Sequence, residues 1–209
     1  MAEDVKENVD EIIAELEKQC RENPHSVVAF HHLGLVSMKI GRIDEAIAAL
    51  TKANEIDPLN VETLINLGAI YFGQGNLAKA RELNESAIQT QPESAQAHAN
   101  LGLIWQQMNE TEKAVAAYER ALQHNPNLAT AWINLTSLLT MIGEDDRAVS
   151  AARKAVELEP DSPLGQNNLA VALYFKGDYT LANKHMERSQ ALGYSVDPNF
   201  VAALREKLA

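Results

Sequence analysis

The sequence predicts an all-α protein built of stacked helix–turn–helix hairpins, and three observations predict it. Prolines fall at 24, 58, 92, 126 and 160, each 34 residues after the last. Leucines keep the same step at 33, 67, 101, 135 and 169, and alanines at 46, 80, 114, 148 and 182. Within each period the apolar residues recur every three or four positions, which is the spacing of an amphipathic helix rather than of a strand.

One period, residues 27–60, shows what each position must do. From Val28 to Ile40 the pattern predicts a first helix, ended by Gly41 in a left-handed conformation. The equivalents of Gly41 are Gly75, Asn109, Gly143 and Gly177; Asn is the common substitute for Gly in that conformation. A second helix, "IDEAIAALTKANEI", carries Asp44 near its start, where an acid complements the helix dipole, and must end before Pro58. Small residues at Gly34, Gly68, Gly102, Thr136 and Ala170, with the alanine series of the second helices, allow close helix approach.

The ends depart from the pattern because a terminal unit has no neighbour on one side. "VDEIIAEL" from Val9 to Leu16 aligns with "IDEAIAAL" from Ile43 to Leu50, so residues 1–26 read as a half-repeat cap. Ile12 stands there in place of the small Ala46. At the far end Tyr194 replaces the periodic proline. Asp197 and Pro198 then open a capping helix over residues 197–209, as N-cap and first helical residue.

Bulk properties narrow the function. The 209 residues are 46% apolar, enough for a packed core, and carry a formal charge of −11 from 29 acids and 18 bases. That sign disfavours nucleic acid and anionic membranes as partners. The acidic N-terminus lacks a secretory pattern, and no apolar run is long enough to span a bilayer, so a cytoplasmic protein with no membrane insertion is expected. The lone Cys20 excludes an intramolecular disulfide. Its acidic neighbours Glu17 and Glu22 are expected to raise its pKa.

The repeat resembles the tetratricopeptide repeat (TPR), whose signature is W-x2-L-G-x2-Y followed by spaced small and aromatic residues and a proline. Phe30, Leu64, His98, Trp132 and Gln166 take its first site, and Leu and Gly follow in three units. Tyr71 and Trp105 take the Tyr site, where Ser37, Leu139 and Leu173 stand in the other units. The resemblance implies a right-handed superhelix, an α-solenoid, with repeats at residues 27–60, 61–94, 95–128 and 129–162 and a degenerate fifth at 163–196. It also implies first helices that line a concave groove. With no Gly-rich phosphate loop, H-E-x-x-H, G-x-S-x-G or C-x-x-C in the sequence, a non-catalytic protein-interaction adaptor without cofactor or metal is expected.

In that family the residue before the signature Leu faces the groove. Here it is His32, Asn66, Asn100, Asn134 and Asn168. The four asparagines resemble the ladder in the repeat region of O-GlcNAc transferases, whose amides suit the backbone of an extended peptide. The other reading is that they join neighbouring helices and set their stacking. Expected groove companions include Ile65, Phe72, Leu103, Ile133, Met141, Tyr174 and Phe175, a neutral and partly apolar lining suited to a peptide with apolar anchors. An alternative for Phe72 and Phe175 is packing between repeats.

Some TPR domains grip a C-terminal carboxylate with successive Lys and Arg residues; Lys39 is a rare base near those places here. His31 and His32, adjacent on a helix, diverge by about 100° and read as a groove-facing pair rather than metal ligands. His98 reads as a packed imidazole. The structural rival to an adaptor is self-assembly, in which the terminal half-repeats dock head to tail between chains.

Overall fold

The computed structural model describes residues 2–209, with side chains described from Val9 onward, and is helical throughout those residues apart from short turns. The first helices are α2 (Val27–Lys39), α4 (Val61–Gly73), α6 (Ala95–Gln107), α8 (Ala129–Met141) and α10 (Pro163–Lys176). The second helices are α3 (Ile43–Ile56), α5 (Leu77–Thr90), α7 (Thr111–His124), α9 (Asp145–Leu158) and α11 (Tyr179–Ala191). Each set starts at intervals of 34 residues, as the sequence period requires. α1 (Ala2–Glu22) precedes them and α12 (Pro198–Leu208) follows.

Hydrogen bonds at the helix ends explain the period. Gly41, Gly75, Gly143 and Gly177 have φ between 76° and 88°, and Asn109 has φ 59°. At each, the residue after the left-handed position donates its N–H back around the last turn: Arg42 to Ser37, Asn76 to Tyr71, Glu110 to Trp105, Glu144 to Leu139 and Asp178 to Leu173. These closures satisfy carbonyls that would otherwise be orphaned. First helices open on Ser26, Asn60, Ser94 and Ser162, whose side-chain oxygens accept a backbone N–H three residues on. Asp197 caps α12, accepting from Asn199 N at 2.9 Å with Pro198 at the first position.

The periodic proline has a second role. Trp132 Nε1 donates to the Pro126 carbonyl at 2.8 Å, and Gln166 Nε2 donates to the Pro160 carbonyl at 2.7 Å. His98 Nε2 lies 2.9 Å from the Pro92 carbonyl, which can only accept, so this ring nitrogen carries the proton. Trp, His and Gln at the first signature site thus share one hydrogen bond, six residues back.

The chain divides into two compact units, one ending at Ile104 and the other running from Trp105 to Ala209. In the first, α2 packs on α3 and α4 on α5, with α1 against α2 and α3 against α4. Its core is formed by Ala46, Leu50, Leu64, Leu67, Ile70, Leu83, Ala87 and Ala97. A Cβ on Gly34 would be driven into the Leu50 side chain, and one on Gly68 into the Asn84 amide. Ile12, aligned with the fully buried Ala46, is 44% exposed, while Ile13 is buried.

In the second unit α7 to α12 pack in succession around Tyr118, Leu135, Leu139, Val149, Leu169, Leu173, Met186 and Leu204. The small and large positions trade places here: Thr136 and Ala152, equivalent to Gly34 and Leu50, are both buried. The last hairpin closes differently from the others. Gly193 has φ 89° and Tyr194 N donates to the Ser189 carbonyl, giving a glycine closure where the earlier units exit through proline.

Candidate peptide-binding face

The ladder asparagines sit half-buried on the first helices, and what each one bonds is dictated by the residue 16 positions earlier, on the preceding second helix. Asn100 has Asn84 at that place and donates to its Oδ1 at 3.1 Å. Asn134 has Tyr118 there and hydrogen-bonds its phenol. Asn66 and Asn168 have Leu50 and Ala152, which offer no polar atom, and turn to the preceding first helix instead. Asn66 Nδ2 lies 3.0 Å from His31 Nε2; Asn168 Nδ2 donates to the Ile133 carbonyl at 3.2 Å and to Ser137 Oγ at 2.9 Å.

All four are half-buried, so the amides are fixed in orientation but reach the surface. Each carboxamide has two donor and two acceptor positions, and these bonds use one or two of them; Gln96 donates to a further one, Asn100 Oδ1, at 2.9 Å.

The buried partners shape the site electrostatically. Burial pushes the Tyr118 phenol well above its ordinary range, keeping it neutral and able to donate to Gln106 Oε1 at 3.3 Å. Burial also holds His31 below its ordinary 6.5, aided by His32 and opposed by Glu62. An amide nitrogen only donates, so the neutral ring accepts from Asn66 through Nε2 and carries its proton on Nδ1.

The other expected residues separate. Phe72, Asn100 and Leu103 come together with Gly68, Ala69 and Asn84 around a small cavity of about 80 Å³ in the first unit. Leu103 is 37% exposed, Ile65 and Phe72 are half-buried, and His32 is exposed. In the second unit Tyr174 and Phe175 line a pocket of about 520 Å³ with residues of α12. Phe175 is 57% and Met141 65% exposed.

Two expectations require correction. Ile133 is buried at 6% because α10 covers it, and its backbone carbonyl rather than its side chain serves the ladder. His31 is buried at 8% and is a packing and bonding partner of Asn66, so the two histidines are not a groove-facing pair. Cys20 is buried, and burial is the first cause of its raised pKa, followed by Glu17. Among the described residues no helix is long and apolar enough to cross a membrane.

Asn84 is the residue that sequence reasoning missed. It is fully buried, donates to the Ala80 carbonyl at 2.8 Å and accepts from Asn100. A polar residue where the neighbouring unit has Leu50 was the available signal.

Comparison with known proteins agrees with this architecture. Two family models, each described as a tetratricopeptide repeat, match residues 37–104 and 95–128. No curated protein sequence matches the chain. Among solved structures, MamA is 26% identical with TM-score 0.69, covering 82% of this chain and 98% of that one. YrrB, a TPR protein with an unusual peptide-binding site, is 20% identical with TM-score 0.71, covering 93% of this chain and 98% of that one. The Cut9–Hcn1 structure of APC/C gives TM-score 0.77 at 19% identity, over 97% of this chain and 40% of that one. The chain carries tetratricopeptide repeats, matched by family models over residues 37–128, and has the all-α repeat fold of TPR proteins.

Proposed function

We propose that the chain is a non-catalytic adaptor that holds a segment of a partner protein against its first helices. The asparagines would bond the segment's backbone, with Phe72, Leu103, Tyr174 and Phe175 packing against its side chains. The observation that carries this reading is the set of half-buried, pre-oriented amides on the first helices, which also carry Leu103 and Phe175 open to solvent. Pre-orientation lowers the entropic cost of binding, and the exposed Phe175 forgoes part of a burial worth roughly 1.5–3 kcal/mol. YrrB, which shares the fold and has a peptide-binding site, is consistent with it.

The test uses the tagged protein and its Asn66, Asn100, Asn134, Asn168 to Ala variant as baits in lysate of the native cell, with retained proteins identified by mass spectrometry. Affinity for the retained partner is expected to fall more than about tenfold in a variant whose helix content is unchanged. Equal affinity in a folded variant would refute the ladder's role.

Head-to-tail self-assembly is a competing reading, favoured by the exposed Ile12 on α1. A monomer mass independent of concentration in light scattering would eliminate it.

A further inference from the structure

The pocket between α10 and α12 has a chemistry that the adaptor reading does not require. Its walls are aromatic: Tyr174 and Phe175 from α10, Phe200 from α12, and Tyr194 from the turn between α11 and α12. Phe175 and Phe200 each stand at 85° to Tyr174, with ring centroids 5.5 and 5.6 Å away. Rings set at right angles to a shared neighbour form the corner of a box, and aromatic faces carry the negative part of the ring quadrupole. Asp197 lies at the same pocket, and no residue lining it is basic. The adjacent Lys176 is held by Asp146 at 2.8 Å.

We propose that this pocket takes a basic side chain, lysine or arginine, of the partner segment, with the cation between the rings and Asp197. The proposal rests on the adaptor reading and names one anchor of the segment. A volume of about 520 Å³ admits such a side chain together with the backbone that carries it. An apolar occupant would desolvate Asp197, Asn167 and Asn199 without compensation, whereas a cation can pair with the Asp197 carboxylate oxygen that does not cap α12. The formal charge of −11 draws basic segments toward the protein at long range.

The test needs no identified partner. n-Butylammonium and n-propylguanidinium chlorides are titrated into the full-length protein at constant ionic strength, beside neutral n-butanol, while the ring signals of Tyr174, Phe175, Tyr194 and Phe200 are followed by NMR. At least one cation is expected to give saturable shifts and to bind about fivefold or more tightly than butanol. Asp197→Asn keeps the helix cap, since Asn caps as well as Asp, and is expected to weaken the cation about threefold with butanol unchanged.

Butanol binding as tightly as both cations, cation affinity unaltered by Asp197→Asn, or no saturable shift by either cation would each overturn the proposal. Loss of cation selectivity with the four-asparagine variant still losing its partner removes only this anchor. Retention of the partner by that variant removes the ladder and leaves the cation result to stand on its own measurement.

Discussion

At the scale of single residues, the ladder asparagines are half-buried and bonded to their neighbours, and their partners follow from sequence position. Asn84 is the point where the two roles meet, because Gly68 lies beneath it and Asn100 bonds to it. Gly68→Ala gains about 1 kcal/mol of helix propensity but drives a methyl group into the buried amide, at a cost of roughly 1–3 kcal/mol and the loss of its hydrogen bonds. A net loss of about 1–2 kcal/mol is expected in urea unfolding; a midpoint at or above wild type would contradict the packing described. The buried His31 and the half-buried His185 set a pH dependence. Burial lowers the pKa of His31, and burial with Lys184 and Arg153 lowers that of His185, whose Nδ1–H donates to Gln166 Oε1 at 2.7 Å. Both rings bind protons more weakly folded than unfolded, so their stabilisation is complete above the unfolded value of 6.5 and is lost as pH falls below it. Urea midpoints should drop between pH 7.5 and 5.5, and the drop should shrink in His31→Gln with His185→Gln.

At the scale of helices, the sequence was legible wherever one position serves one purpose in every unit. The left-handed closures, including Asn109, were readable because few residues tolerate positive φ. The ladder's bonding was not, because it depends on a pair of positions 16 apart whose polarity varies among the units. Burial of His31 and Ile133 was likewise hidden: in a stacked array both flanks of a first helix meet neighbours, so helical spacing within that helix cannot separate the covered flank from the open one. Gly193 went unread because it closes the last hairpin outside the repeat register. The bond from the first signature site to the proline carbonyl gives a direct check at this scale. His98→Gln should leave stability within about 0.5 kcal/mol, as Gln166 makes the same bond, whereas His98→Leu should cost about 1 kcal/mol by thermal or urea unfolding. Equal effects of the two substitutions would show that the bond contributes nothing.

At the scale of the whole molecule, composition and period established the all-α repeat class, and the exposed aromatic and amide groups supplied the functional reading. The charge of −11 acts on all of it. Exposed ion pairs such as Arg42 with Asp10 and Lys79 with Glu82 contribute little each, while the excess acids repel one another. Raising NaCl from 0.02 to about 0.5 M should therefore increase the melting temperature, through screening of that repulsion. A fall would mean that the ion pairs outweigh the repulsion.

The most direct test of the account is to label the protein with ¹⁵N and follow the side-chain amide signals of Asn66, Asn100, Asn134 and Asn168 while adding the partner segment recovered by the bait. The account predicts that these four signals shift together and gain protection from solvent exchange as the segment binds. Binding that leaves all four unmoved, with changes confined to other surfaces, would contradict it.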